Sequence, residues 1–331
     1  MLALDRVICL NNATSERGRE HAARLTDAFQ RSASQYPVLP IATTSVTQLR
    51  DEFAALQITE RDLLVVNGGD GTLQALLGLL IKAEQAPMIA ALPGGSTNMS
   101  AYDLNDHRGF SACVKTLVGQ LAGTIPAHLH ERSVLRVTDA QEIRAGFFCG
   151  IGAIVEGIEY CHAQLYAGGA KRQEFTAGLA MLRAIWGVLR AHPPFAHSQP
   201  LALSAFSTEA AVGVGGPASI QLNPTSGALV LAASTLQRLL VGARPHWGLE
   251  PGDLRFTLVE RDQRGLWYRL PGLLGFPWWP RPLASAGYHS HNCERLELRL
   301  EGGYTIDGEL FTPQTDRIEL DVGCRFQFMR L

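Results

Sequence analysis

The sequence predicts an α/β domain on a parallel sheet, followed by a second, mainly antiparallel β-sandwich domain. Three observations carry that prediction. Apolar strand-like runs alternate with helical patterns over the first third of the chain. Glycine-rich turns follow two of those runs, where open α/β sheets bind ligands. Beyond about residue 123, short strand-like segments succeed one another with turn residues between them. At 331 residues the chain is long enough for two domains, or one large one, with a substantial buried core. Hydrophobic residues make up 46% and charged residues 18%, a globular rather than disordered composition. The net charge of −2, without blocks of like charge, argues against nucleic acid or a polybasic membrane anchor as partner.

Taken in order, Arg6–Leu10 reads as a short apolar strand. Glu16–Phe29 reads as a helix with Ala22, Leu25 and Phe29 on one face. Val38–Ala42 is a second strand and Thr47–Leu56 a second helix. The third strand, Leu63–Val66, runs into Asn67-Gly68-Gly69-Asp70-Gly71-Thr72, and a helix over Leu73–Ile81 runs out of it. Met88–Leu92 is the fourth strand and ends in Pro93-Gly94-Gly95-Ser96-Thr97-Asn98. The change of pattern at residues 123–128 divides the chain into residues 1–125 and 126–331. Strands are then expected at Val134–Thr138, Arg144–Phe148, Leu201–Phe206, Ala218–Leu222, Ala228–Ala233, Leu254–Glu260, Arg295–Leu300 and Arg317–Leu320. One long helix, Lys171–Ala191, interrupts them, and its Leu179, Leu182, Trp186 and Leu189 read as a core-facing stripe.

No run reaches the roughly 18 apolar residues that span a bilayer, and the N-terminus lacks the pattern of a signal peptide. A cytoplasmic protein, at most peripheral at a membrane, is the expectation. The six cysteines (Cys9, Cys113, Cys149, Cys161, Cys293, Cys324) have neither metal-ligand nor disulfide-framework spacing, which predicts reduced and mostly buried thiols. Oligomeric state is not legible, and a homo-oligomer stays open.

The first glycine turn carries the most chemistry. Three glycines between a buried strand and a helix start leave backbone N–H groups uncovered, and the helix dipole points its positive end there. Such a turn suits a polyphosphate. Asp70 in its middle would repel phosphate unless it acts through a metal ion, a water or a ribose hydroxyl. A second glycine turn at the next strand tip could grip the same nucleotide from the other side. Near the C-terminus, Asp307-Gly308-Glu309 read alone is a hairpin turn, since Asp-Gly favours that geometry.

Together these segments resemble the diacylglycerol kinase catalytic-domain family, which includes bacterial lipid kinases, sphingosine kinases and ceramide kinases. The resemblance rests on Asn67–Thr72, on Leu92–Asn98, on Phe147–Gly152, on Gly248–Phe256 and on Ile306-Asp307-Gly308-Glu309. It implies an ATP-dependent lipid kinase, with Mg²⁺, in which an α/β domain holds the nucleotide and a β-rich domain presents a lipid from a membrane surface. Gly68, Gly69, Gly71 and Thr72 would line the phosphates, with Asp70 organising ribose or Mg²⁺. Asn12 would join the nucleotide site, and Gly95, Ser96, Thr97 and Asn98 would form its opposing wall. Asp307 would be the general base and Glu309 its support.

The sequence departs from the family pattern in several places. Asn12-Ala13-Thr14-Ser15-Glu16 lacks the usual proline and glycine, leaving Arg17 or Arg19 to reach the triphosphate. Met99-Ser100-Ala101-Tyr102 replaces a segment with Asp and Arg, Pro251 stands where an Asp would hold a structural metal, and Ala153-Ile154 replaces an acidic residue. Two other readings stay open: a non-catalytic nucleotide-binding protein of the same fold, or a kinase of a soluble acceptor such as NAD. Phe276-Pro277-Trp278-Trp279-Pro280 reads either as an interfacial anchor or as a packed loop. His192, His197, His246, His289 and His291 are expected as solvated loop histidines.

Overall fold

The computed structural model describes residues 3–32, 36–95, 97–168, 199–207, 219–239 and 242–331. The expected helix over 171–191, Ser96, His192, His197, Ala218 and the Cys161 side chain lie outside the described residues. The chain forms two compact units, Met1–Val134 with Gly323–Leu331, and Leu135–Val322.

The first unit runs β1 (Arg6–Asn12), α1 (Glu16–Arg31), β2 (Val38–Thr43), α2 (Val46–Leu56), β3 (Asp62–Gly68), α3 (Asp70–Lys82), β4 (Met88–Pro93), α4 (Met99–Leu104) and α5 (Phe110–Leu121). Its strands lie in the order β2-β1-β3-β4, all parallel. Every residue of β3 is buried, as expected of a central strand covered on both faces. Val7, Cys9, Leu63 and Val65 face Leu25 of α1 and Cys113 and Leu117 of α5 in one core. The alternate positions Ile8, Leu10, Leu64 and Val66 are equally sealed. Ser15 caps α1 by accepting from Gly18 N. The sequence reading contained neither α4 nor α5.

Strand β5 (Leu129–Asp139) begins in the first unit and passes into the second at Leu135, followed by β6 (Glu142–Gly146), β7 (Phe148–Gly152), α6 (Ala153–Gly168), β8 (Leu201–Phe206), β9 (Ser219–Leu222), β10 (Ala228–Ser234) and β11 (Leu254–Glu260). The chain then runs α7 (Leu266–Leu273), β12 (Tyr288–Cys293), β13 (Arg295–Leu300), β14 (Tyr304–Ile306), β15 (Glu309–Phe311) and β16 (Arg317–Met329). One antiparallel sheet has the order β12-β11-β10-β7-β14-β15. The other joins β16, β13, β8 and β9, also antiparallel. Leu203, Leu296 and Leu320 of one sheet share a core with Ile151, Phe256 and Tyr304 of the other, which makes a sandwich.

Several expectations need correction. The single strand Arg144–Phe148 is two strands, β6 and β7, parted at Phe147. Helices α6 and α7 interrupt the strands, and β12 is an additional strand. The last strand does not stop at Leu320. It continues to Met329, and Met329 and Leu331 pack into the first unit's core, so residues 323–331 belong there.

Candidate functional site

Because β1, β3 and β4 are parallel, their C-terminal ends share one edge, with Asn11 beside Asn67 and Gly68 beside Pro93. The two glycine turns therefore meet. Gly94 N donates to Gly68 O at 3.1 Å. A Cβ on Gly95 would lie 2.4 Å from Gly69 Cα, so these glycines are required for two backbones to touch. Helix α3, 13 residues long, starts at this contact with Gly69 as N-cap and no side-chain cap bond. Thr72 N donates to Gly69 O at 3.0 Å, and no side chain caps the amides ahead of it, an arrangement that suits the phosphates of a nucleotide.

Side chains around the turns mostly brace them. Asn12 Nδ2 donates to Thr72 Oγ1 at 3.0 Å, while Asn12 Oδ1 accepts from Thr14 N at 3.0 Å. Beneath them the buried Asn67 Nδ2 donates to Asn11 Oδ1 at 2.9 Å. Asn98 has left-handed backbone, φ 52°, and closes its own turn. Its Oδ1 accepts from Gly95 N and its Nδ2 donates to Gly95 O, each at 2.6 Å. Gly69, Gly71, Thr72 and Gly95 are half-buried and Thr97 is exposed, so these remain open to a ligand, whereas Gly68 and Asn98 are buried. Arg19 is turned back onto Ala13 O at 2.9 Å.

Asp70 is held from both sides of its carboxylate. Its carboxylate is buried, and both oxygens accept backbone amides from the start of α4, Met99 N at 3.0 Å and Ser100 N at 2.9 Å. Burial pushes its pKa up, and the two amides oppose that shift only in part. The residue fastens the second turn to the first, with each carboxylate oxygen engaged by one amide. Sequence reasoning missed this because the partners are amides some 30 positions away.

In the second unit, Asp307-Gly308 joins β14 to β15 with φ 49° and 96°, the two positive values of a tight hairpin turn. Asp307 Oδ1 accepts from Phe148 N at 2.9 Å and Oδ2 from Phe147 N at 3.0 Å. The strand break at Phe147 is what presents these two amides. Gly146 makes room, since a Cβ there would lie 2.6 Å from Asp307 Oδ2. Asp307 stays half-buried and Glu309 is exposed. Gly146 and the amides of Phe147 and Phe148 were not singled out from sequence, although Phe147–Gly152 was quoted as part of the resemblance.

Of the histidines expected in solvated loops, His246, His289 and His291 are described, and none of the three is exposed. His289 and His291 lie on β12, 2.8 Å from Glu260 and 2.6 Å from Glu250 respectively. His246 Nδ1 is 3.0 Å from Thr257 Oγ1, and its sealed Nε2 has no hydrogen-bond partner among the described residues. Burial pushes its pKa down to about 3. Among the described residues no cluster of three or more His, Cys, Asp or Glu could hold a metal ion.

With this geometry in place, the sequence between β1 and the start of β5 can be compared with known families. Residues 6–127 match the diacylglycerol kinase catalytic domain. The match covers both glycine turns, whereas Asp307 and Glu309 lie outside it. Two solved structures of a provisionally assigned diacylglycerol kinase from Bacillus anthracis str. Sterne are similar to the whole chain. One has a TM-score of 0.62 at 16% identity over 99% of this chain and 97% of that chain. The other has a TM-score of 0.62 at 18% identity over 100% and 97%. A third structure, of a diacylglycerol kinase from the same organism, has a TM-score of 0.58 at 15% identity over 99% and 97%. At such identities the likeness establishes the fold. No curated protein matches this sequence. The chain is thus diacylglycerol kinase-like in its N-terminal domain and in its fold.

Proposed function

We propose that this chain is an ATP-dependent lipid kinase, transferring the γ-phosphoryl group to the hydroxyl of diacylglycerol or a related lipid. The observation that carries the reading is the pair of glycine turns touching through Gly69 and Gly95 at neighbouring strand tips, inside residues 6–127. In this reading the first amides of α3, with Gly69, Gly71 and the Thr72 side chain, take the phosphates. Gly95, Ser96 and Thr97 form the opposing wall, while Asn12, Asp70 and Asn98 hold the turns in place.

Phosphoryl transfer asks little of a protein beyond alignment, charge stabilisation and a base for the acceptor's proton. Asp307 is proposed as that base. It takes the hydroxyl proton as the lipid oxygen bonds to the γ-phosphorus and the bond to the leaving ADP oxygen breaks. Two amides fix its carboxylate on one rotamer, so it need not be oriented during the reaction. Glu309 is proposed to support it. When bound, Mg²⁺ neutralises phosphate charge; with both oxygens of Asp70 engaged, it fits here as an ion carried by the nucleotide. A lipid acceptor also implies contact with a membrane surface, and no helix among the described residues is long and apolar enough to cross a membrane.

The test is incubation with labelled ATP, Mg²⁺ and a panel of lipid micelles, followed by chromatography. A labelled phospholipid is expected. ATP binding without transfer to any lipid would move the assignment to a non-catalytic nucleotide-binding protein. That reading is favoured by the engagement of Asp70 and Asp307 with backbone amides.

A further inference from the structure

The stretch from Arg264 to Leu283 in the second unit exposes aromatic surface that its core does not take up. Trp278 is 93% exposed, Tyr268 59%, Phe276 58%, Trp267 53% and Trp279 46%. Large apolar side chains gathered in this way on a soluble surface mark a binding face. The backbone beneath them is braced. Arg281 Nη1 donates to Gly272 O and to Arg244 O, each at 2.9 Å. Arg244 N donates to Leu274 O at 2.9 Å, and Phe276 N to Pro271 O at 3.0 Å. Glycines allow this closeness: a Cβ on Gly272 would lie 2.2 Å from Pro280 O, and one on Gly275 2.7 Å from Arg244 O. Trp279 Nε1 donates to Tyr268 O at 2.5 Å and ties the loop back to α7. The rings are therefore held outward by a built platform.

Charge identifies what the platform meets. No acidic residue stands between Asp262 and Glu294, while Arg264, Arg269 and Arg281 fall within that stretch and Arg244 packs beside it. Arg264 and Arg244 are exposed, and the Arg269 guanidinium lies 5.2 Å from the Tyr268 ring centre. Indole and phenol rings favour the boundary between headgroups and acyl chains, and arginines beside them attract anionic headgroups. A second copy of this chain is a poorer occupant, because a two-fold contact gathers the arginines of both copies into one interface without acidic partners from this stretch.

We propose that this face, led by Trp278, Phe276, Trp267 and Tyr268 with Arg264 and Arg269, docks on an anionic lipid bilayer. Docking is a property separate from phosphoryl transfer and is measured without nucleotide. The full chain is sedimented with vesicles of phosphatidylcholine alone, or of phosphatidylcholine with phosphatidylglycerol, at low and at raised salt. Binding to the anionic vesicles is expected, weakening as salt screens the arginines. The Trp278→Ser, Phe276→Ser double variant should partition at least about tenfold less, from the apolar area it no longer buries. Arg264→Gln should cost about fivefold. All three positions are exposed, so melting temperatures should stay unchanged. Tryptophan emission of the unmodified chain should be quenched by vesicles with brominated acyl chains, a readout that needs no variant. Absence of binding, absence of quenching, or equal partition of the double variant would each overturn the proposal. So would a concentration-dependent dimer abolished by Trp278→Ser, which would assign the face to a second copy.

Discussion

Asp70 and Asp307 sit in different units, next to glycines, and are held in the same way. Each carboxylate accepts two consecutive backbone amides, Met99 and Ser100 for one, Phe147 and Phe148 for the other. Their surroundings differ. Asp70 is buried at the start of a helix, and its partners begin the next helix. Asp307 is half-buried at the tip of a hairpin, with a backbone conformation few residue types accept. Asp70 is sealed inside the fold it braces, whereas Asp307 keeps part of its surface exposed. An acidic residue inside a glycine motif is therefore not read as a ligand until its partners are known.

Replacing Asp307 breaks the comparison most sharply. Asn is the variant of choice, because it tolerates φ near +50° and its Oδ1 can still accept an amide. Phosphoryl transfer is expected to fall about 10²- to 10⁴-fold while ATP binding persists. Stability, measured by urea unfolding, should fall by only about 1 kcal/mol. Unchanged transfer would make the two aspartates alike, both of them braces. Asp70→Ala should behave in the opposite way. It strands two buried amides, at a cost of about 1–3 kcal/mol for each, and should lower the unfolding midpoint clearly. A loss of transfer without a loss of stability would return Asp70 to a role in the chemistry.

How far the sequence reached follows the same division. The alternation of strands and helices in residues 6–93 was legible because each strand is an apolar run with a turn at its end. Contacts between consecutive elements settle their type locally. The glycine turns were legible as a pair, but the reason for Gly69 and Gly95 was not. Their contact is between backbones, and a sequence does not say which backbone another one touches. The bracing of Asp70 was not legible for the same reason, since the amides that hold it belong to α4. The histidines of β12 failed differently: Tyr288–Cys293 is a polar strand whose His289 and His291 meet Glu260 and Glu250 from β11 and the segment before it. Polar composition made it read as a loop. Asp307-Gly308 was legible as a hairpin, because Asp-Gly favours the two positive φ values that the turn has.

Acid separates the two units by another route. The unfolded chain holds His246 near its ordinary 6.5, whereas burial in the second unit pushes it down to about 3. The folded state thus takes up fewer protons than the unfolded one between these values. The associated stability is present above pH 6.5 and is lost as pH falls toward 3. By pH 5 the loss amounts to about 2 kcal/mol. His246→Gln should flatten the stability difference between pH 7 and pH 5 by about that amount in denaturant titrations. If the variant keeps the slope of the unmodified protein, the acid sensitivity lies elsewhere. Where the slope does flatten, activity lost between pH 6.5 and 5 is assigned to the second unit's stability before protonation of Asp307 is invoked.

The smallest expected effect probes the first unit's site directly. Asn12 has been described as a brace, because its Nδ2 holds Thr72 Oγ1 and its Oδ1 holds the Thr14 amide. Asn12→Ala removes those partly exposed bonds and should cost about 1 kcal/mol of stability. As a brace, it should weaken ATP binding by no more than the corresponding factor of about five, since one lost hydrogen bond loosens the turn without removing a ligand contact. A rise in Kd of two orders of magnitude with stability unchanged would instead mean that the side chain turns from Thr72 to the nucleotide when ATP binds. Asn12 would then belong with the phosphate-facing residues, and the contrast between bracing and acting groups would have to be redrawn at the tip of β1.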